Sequence, residues 1–226
     1  KWDFNLRLEA REAESSDKWG VISGLFGEPA DGVGVSTDLK HFRTEASTCP
    51  RTEQTDIRLG LVYRPLESEW VLLDRLRYSS EEESGGGSAL ERWKVVNNFN
   101  ASYRPGNDLQ VSLQYGLKYA RDTLAGQVLD GTTHLIGAQG RYDLRPRWDL
   151  GAWSSVLTAH DAGTTDYGLG ASVGYGLAEN IWMSLGYNLL GYEDSDFSQG
   201  DFTAQGPFLK FRLKFDQETV RDLLQR

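Results

Sequence analysis

Leu209, Phe211, Leu213 and Phe215 alternate with Lys210, Arg212 and Lys214 without a break. This is the period of a strand whose two faces meet different surroundings. One face is greasy and the other is cationic. The start of the chain repeats the pattern, with Trp2, Phe4, Leu6, Leu8 and Ala10 set against Asp3, Asn5, Arg7, Glu9 and Arg11. Between these ends the alternation returns in Ile57, Leu59, Leu61 and Tyr63, and again in Ile181, Met183, Leu185, Tyr187 and Leu189. It is cleanest through Leu109, Val111, Leu113, Tyr115, Leu117 and Tyr119. In the stretch holding Tyr167, Leu169, Ala171, Val173 and Tyr175 the opposite face is almost all glycine and serine. Less regular versions cover residues 18–27, 32–43, 69–79, 93–103, 136–144 and 148–156. The pattern therefore predicts an all-β chain of about twelve strands, each about 9–11 residues long.

The connections alternate as well. Short turns rich in Pro, Gly and Asn follow strands two, four, six, eight and ten, as in Arg64-Pro65, 104–108 and 145–147. Longer polar stretches follow the odd-numbered strands, among them 13–18, 81–88 and 193–205. An even strand count with both termini on the short-turn side is the layout of an antiparallel up-and-down transmembrane β-barrel. Tyr63, Tyr103, Tyr142, Trp148 and Tyr175 all fall on the apolar face close to the short turns, where an interfacial aromatic girdle belongs.

Composition narrows this picture without overturning it. With 226 residues, 39% hydrophobic and a net charge of −9, the chain has no apolar run near the roughly 20 residues of a membrane-spanning helix. A barrel escapes that test because its lipid-facing and lumen residues alternate. The acidic balance offers no nucleic-acid footprint, and the single Cys49 excludes an internal disulfide framework. Lys1-Trp2-Asp3-Phe4 already alternates, so no leader is visible and the chain reads as a mature protein or an excised terminal domain. A soluble lipocalin-like barrel shares the period of two, but its apolar face points inward. Strand length, loop asymmetry and aromatic placement favour the membrane barrel. It occupies residues 1–216, with a short periplasmic tail at 217–226. Val220, Leu223 and Leu224 give that tail helical spacing.

Specific residues then carry a resemblance. They are Leu59-Gly-Leu-Val-Tyr-Arg-Pro65, Ser112-Leu-Gln-Tyr-Gly-Leu-Lys118 and Gly140-Arg-Tyr-Asp-Leu-Arg-Pro-Arg-Trp-Asp149, followed by Ile181-Trp-Met-Ser-Leu-Gly-Tyr-Asn188 with Gly191, Asp194 and Asp196-Phe197. With Gln205-Gly-Pro-Phe-Leu-Lys-Phe-Arg-Leu-Lys-Phe-Asp216, they resemble the C-terminal barrel of very long, repeat-containing bacterial surface proteins. The ending, with Gly206, Leu209, Phe211, Leu213 and Phe215, is similar to the insertion signal of outer-membrane barrels. The resemblance implies a Gram-negative outer-membrane anchor or translocator for a larger region, with no chemistry of its own. The partners it implies are outer-membrane lipid and lipopolysaccharide, the barrel-assembly machinery, and an N-terminal passenger or another protein subunit. No cofactor is implied.

Candidate sites are few. Arg7, Arg58, Lys118, Arg141, Lys210, Arg212 and Lys214 line the inward face, with Glu9, Arg11, Arg75, Arg77, Lys94 and Asp143 beside them. Such a basic lumen suits a small anion-selective porin if it is open, and an anchor if its charges are paired or plugged. A third reading, a membrane-embedded hydrolase, would need Ser154 to meet His160 or His134. Six residues along one strand separate Ser154 and His160 by about 20 Å, and no orienting group is apparent. Asp194, Asp196 and Asp201 have oxygen ligands at short spacing but lack the full calcium-loop pattern, so a solvated loop is expected. Cys49 reads as an inert thiol and His41 as a strand-end residue. Asp74 conflicts with the pattern, since it falls on the lipid-facing set. A lipid-facing carboxylate costs on the order of 1–4 kcal/mol, so either a bulge turns it inward or a partner covers it.

Overall fold

The computed structural model describes residues 1–46, 51–85, 89–178, 181–192, 194, 196–197 and 205–213. The twelve strands are β1 (Trp2–Ala13), β2 (Ser16–Ala30), β3 (Val33–Ala46), β4 (Arg51–Tyr63), β5 (Trp70–Ser84) and β6 (Leu90–Tyr103), then β7 (Leu109–Leu124), β8 (Gln127–Arg145), β9 (Trp148–Ala159), β10 (Thr164–Ala178), β11 (Ile181–Leu190) and β12 (Gly206–Leu213). They form one sheet in sequence order, and every neighbouring pair is antiparallel. This is the up-and-down architecture that the alternation requires. Cys49, Asp201, Lys214, Phe215 and the tail at 217–226 lie outside the described residues.

Register decides which face each residue takes, and the ladder carries one set across the whole sheet. The row Leu72, Ala101, Leu113, Ala138, Ser154 and Leu169 is paired strand to strand. All of these residues share the apolar outer wall. Leu113 is 53% exposed, Leu185 60% and Phe211 58%, whereas Lys118 is held inside against an acidic loop segment. A soluble barrel would reverse this, burying the leucines and wetting the lysine. The low aromatic girdle also forms: Trp70 stacks on Tyr103 with ring centroids 4.6 Å apart, and Trp148 lies 4.8 Å from Tyr175. Eight residues above Trp70 stands Tyr78 on the same face. At about 3.3 Å per residue and a tilt of about 40° that rise is roughly 20 Å, close to the height of an outer-membrane apolar band.

Two expectations change. The polar stretches after the odd-numbered strands are in large part continued hairpins. β1 and β2 stay paired to Ala13 and Ser16, and β7 and β8 to Leu124 and Gln127. Backbone pairing needs no apolar side chain, so the ladder runs past the point where hydrophobic alternation stops. The second change is at the ends of the sheet. Among the described residues β1 and β12 form no ladder, and no Cα of one lies within 8 Å of a Cα of the other. Over those residues the cylinder carries a seam.

Candidate functional site

Beyond β11, the described residues Asp194, Asp196 and Phe197 lie inside the lumen, and Phe197 joins a cluster of buried apolar side chains. Asp194 starts the turn by accepting the backbone N–H of Asp196 at 2.9 Å, a local bond typical of Asp in a turn. The two carboxylates then meet lysines from the facing wall. Lys118 donates to Asp194 at 2.7 Å and Lys94 to Asp196 at 2.5 Å, while Lys118 also lies 3.4 Å from Asp196. Asn98 donates to the Asp196 carbonyl at 3.3 Å. A solvated loop was expected here. The lysines sit on the inward face of β6 and β7, so the acidic segment finds compensation inside the barrel.

An apolar seat completes this latch. Phe197 is 2% exposed and packs with Val96, Leu135 and Leu157, and Tyr192 closes one side. Gly116 makes the seat deep enough, because a Cβ added there would stand 2.5 Å from the Phe197 ring. The Lys118 ammonium lies 5.5 Å from the centre of that ring, a cation–π distance. Gly116→Val should therefore evict Phe197 without altering any charge. The expected result is a barrel that folds normally but carries at least about tenfold more ion current in planar bilayers, as loss of about 1.4 kcal/mol of seating would give. Unchanged current would mean that Phe197 does not hold the loop.

Protonation gives a second check. Desolvation pushes the Asp196 carboxyl up, but the hydrogen bond and charge of Lys94, joined by Lys118, outweigh it and hold the carboxyl below its usual range. A carboxyl lowered in this way supports the latch above its ordinary pKa of about 4, and that support is lost as pH falls through the lowered value. Conductance should therefore stay flat from about pH 8 to about pH 5 and rise only below about pH 4. A rise near pH 6 would assign the control to a histidine instead.

The remaining inward cations are mostly engaged too. Asp56 accepts a hydrogen bond from Arg77 at 2.7 Å, and Arg58 forms an ion pair with it at 2.8 Å. Arg141 bridges Asp143 at 3.1 Å and Asp149 at 3.0 Å, and Asp149 also accepts the Trp182 indole N–H at 2.9 Å. Arg7 is exposed beside Glu9 at 3.8 Å. Lys210 and Arg212 line a cavity of about 250 Å³ beneath the latch, together with Gln114, Ser172, Trp182 and Phe208. Of the insertion signal, Leu209, Phe211 and Leu213 point outward from β12, and Gly206 opens that strand.

The hydrolase residues do not converge. Ser154 pairs across the ladder with Ala138, four positions from His134, or about 13 Å along the strand. The His134 ring lies 3.2 Å from the Tyr115 hydroxyl, and His160 sits in the β9–β10 turn. His41 lies on the outer wall, 3.0 Å from Thr55 Oγ1 and tilted against Trp19. Among the described residues no three His, Cys, Asp or Glu side chains gather as a metal site would require.

No protein-family model matches the sequence, nor does any curated protein. Solved structures do match. The copper transporter OprC superposes with a TM-score of 0.51 at 13% identity, over 83% of this chain and 40% of the transporter. The NanC porin gives 0.45 at 12% identity, over 88% and 94% of the two chains. The translocator domain of the autotransporter NalP from Neisseria meningitidis gives 0.33 at 12%, over 95% and 86%. This chain thus spans less than half the length of the transporter it matches. The fold is that of outer-membrane β-barrels, and with its apolar outer wall and charged interior the sheet belongs in the outer membrane of a Gram-negative cell.

Proposed function

We propose that this barrel is a plugged anchor, which holds a larger bacterial surface region to the outer membrane and performs no chemistry of its own. The observation that supports it is the latch. A pore needs free cross-section and accessible charge, whereas here Asp194, Asp196 and Phe197 occupy the lumen and Lys94 and Lys118 are spent on holding them. Pairing of Arg58 and Arg77 with Asp56, and of Arg141 with Asp149, points the same way. A plugged lumen also favours tethering over export through the barrel. Purified protein in planar bilayers should pass little steady current, and deleting the barrel from the full-length protein should release its surface region from cells. A large anion-selective current from the unaltered protein would overturn the reading.

A small anion-selective porin is the second reading. Its support is the cavity beneath the latch and a wider space of about 810 Å³ at the short-turn mouth, lined by Arg104, Arg141, Arg145 and Arg212. The same current measurement separates the two.

A further inference from the structure

Asp74 remains on the lipid face. The β4–β5 and β5–β6 ladders run without a register shift, so no bulge turns it inward. It pairs across the sheet with Leu61 and Phe99, both on the exposed outer wall. Four residues above the Trp70–Tyr103 stack, it stands about 10 Å into the apolar band, near its middle. Its relief is local: Asn97, opposite Leu76 on the same face, donates to the Asp74 carboxylate at 2.8 Å. This is the one hydrogen bond either side chain makes among the described residues. An amide has two N–H donors and a carboxylate has two acceptor oxygens, so each keeps unused capacity facing hydrocarbon. Lipid tails supply no partner at that depth.

We propose that this face is an interface with a second copy of the chain. Copies inserted in the same direction are related by a two-fold axis along the membrane normal, which sets β5 of one wall against β6 of the other. The free Asp74 oxygen of each copy then meets the free Asn97 N–H of its neighbour, and one donor–acceptor pair becomes a closed set of four groups. Leu72, Leu76 and Phe99 surround the set with apolar surface that can pack against itself. The self-complementarity of adjacent donor and acceptor selects a second copy over an unrelated membrane protein.

The test uses the full chain in lipid nanodiscs with Cys49 replaced by serine. Paired substitution Leu76→Cys with Phe99→Cys, one on each of two differently tagged copies, should give a cross-linked dimer under mild oxidation, and native mass spectrometry of the unaltered chain should show the dimer mass. Asp74→Leu with Asn97→Leu should lower the dimer fraction by about tenfold or more. Its folding is checked by the heat-dependent gel mobility of intact barrels. Should that variant fail to fold, the cross-link and native mass still decide. A monomer mass with no cross-link, a dimer unaffected by the double substitution, or stoichiometric capture of a different protein at this face would each overturn the proposal.

Discussion

Replacing Lys94 and Lys118 together by methionine should convert a barrel expected to pass little current into a conducting one. Both ammonium groups point into the lumen, and they are the only cations found against Asp194 and Asp196 among the described residues. The two carboxylates are largely covered, with 13% of each side chain accessible. Removing the lysines leaves two negative charges in a part-dry site, with only the second-best option of moving outward to water. Loss of one side of such a charge-paired set costs on the order of 2 kcal/mol or more, about thirtyfold in the ratio of released to latched loop. Methionine keeps the side-chain volume and the Phe197 seat, so the change isolates the charge. Single-channel recording should then show long open periods at neutral pH. Brief openings no commoner than in the unaltered protein would mean that the Phe197 seat alone holds the loop and that the two lysines are not what keeps the lumen plugged.

The latch was only half legible in the sequence. Gly191, Asp194 and Asp196-Phe197 stood out by resemblance, and the lysines stood out by parity, but nothing local joined them. The joining signal was a fault in the alternation. Val96 follows Val95, Leu135 precedes Ile136, and Leu157 follows Val156. Each is an apolar doublet whose extra member must face the lumen, and ladder register brings all three beneath Phe197. Three greasy residues on a wet inner wall need a cover, which periodicity counted strand by strand could not reveal. The outer wall was legible because lipid imposes the same demand at every second position. The extended hairpins were not, because Arg121, Asp122 and Thr123 lie beyond the apolar band and no longer alternate. Asp74 was visible as a conflict, but its resolution required Asn97, which is adjacent only through the ladder.

In a bilayer, cysteines placed on the facing edges of β1 and β12 should join within one molecule. Among the described residues the seam leaves an edge of twelve residues on β1 and one of eight on β12. Water satisfies those edges at no cost, but hydrocarbon cannot. Each unpaired backbone group in the apolar core costs several kcal/mol, so a handful of them exceeds the roughly 5–15 kcal/mol that holds an ordinary domain folded. Closure removes the whole penalty, and both strands already carry the outward row that a closed wall needs, Phe4, Leu6 and Leu8 on one and Leu209, Phe211 and Leu213 on the other. The strands also run in opposite directions, as an antiparallel ladder requires. With Cys49 replaced by serine, Phe211→Cys should be paired in turn with Phe4→Cys, Leu6→Cys and Leu8→Cys. One register should yield an oxidised monomer of altered gel mobility in lipid. Edges with no Cα pair within 8 Å cannot be bridged, so the bond reports closure directly. If oxidation instead gives only linked dimers through these edges, two sheets share one cylinder. If no register links at all, a strand from elsewhere lies along β1, and the twelve-stranded barrel is part of a wider wall.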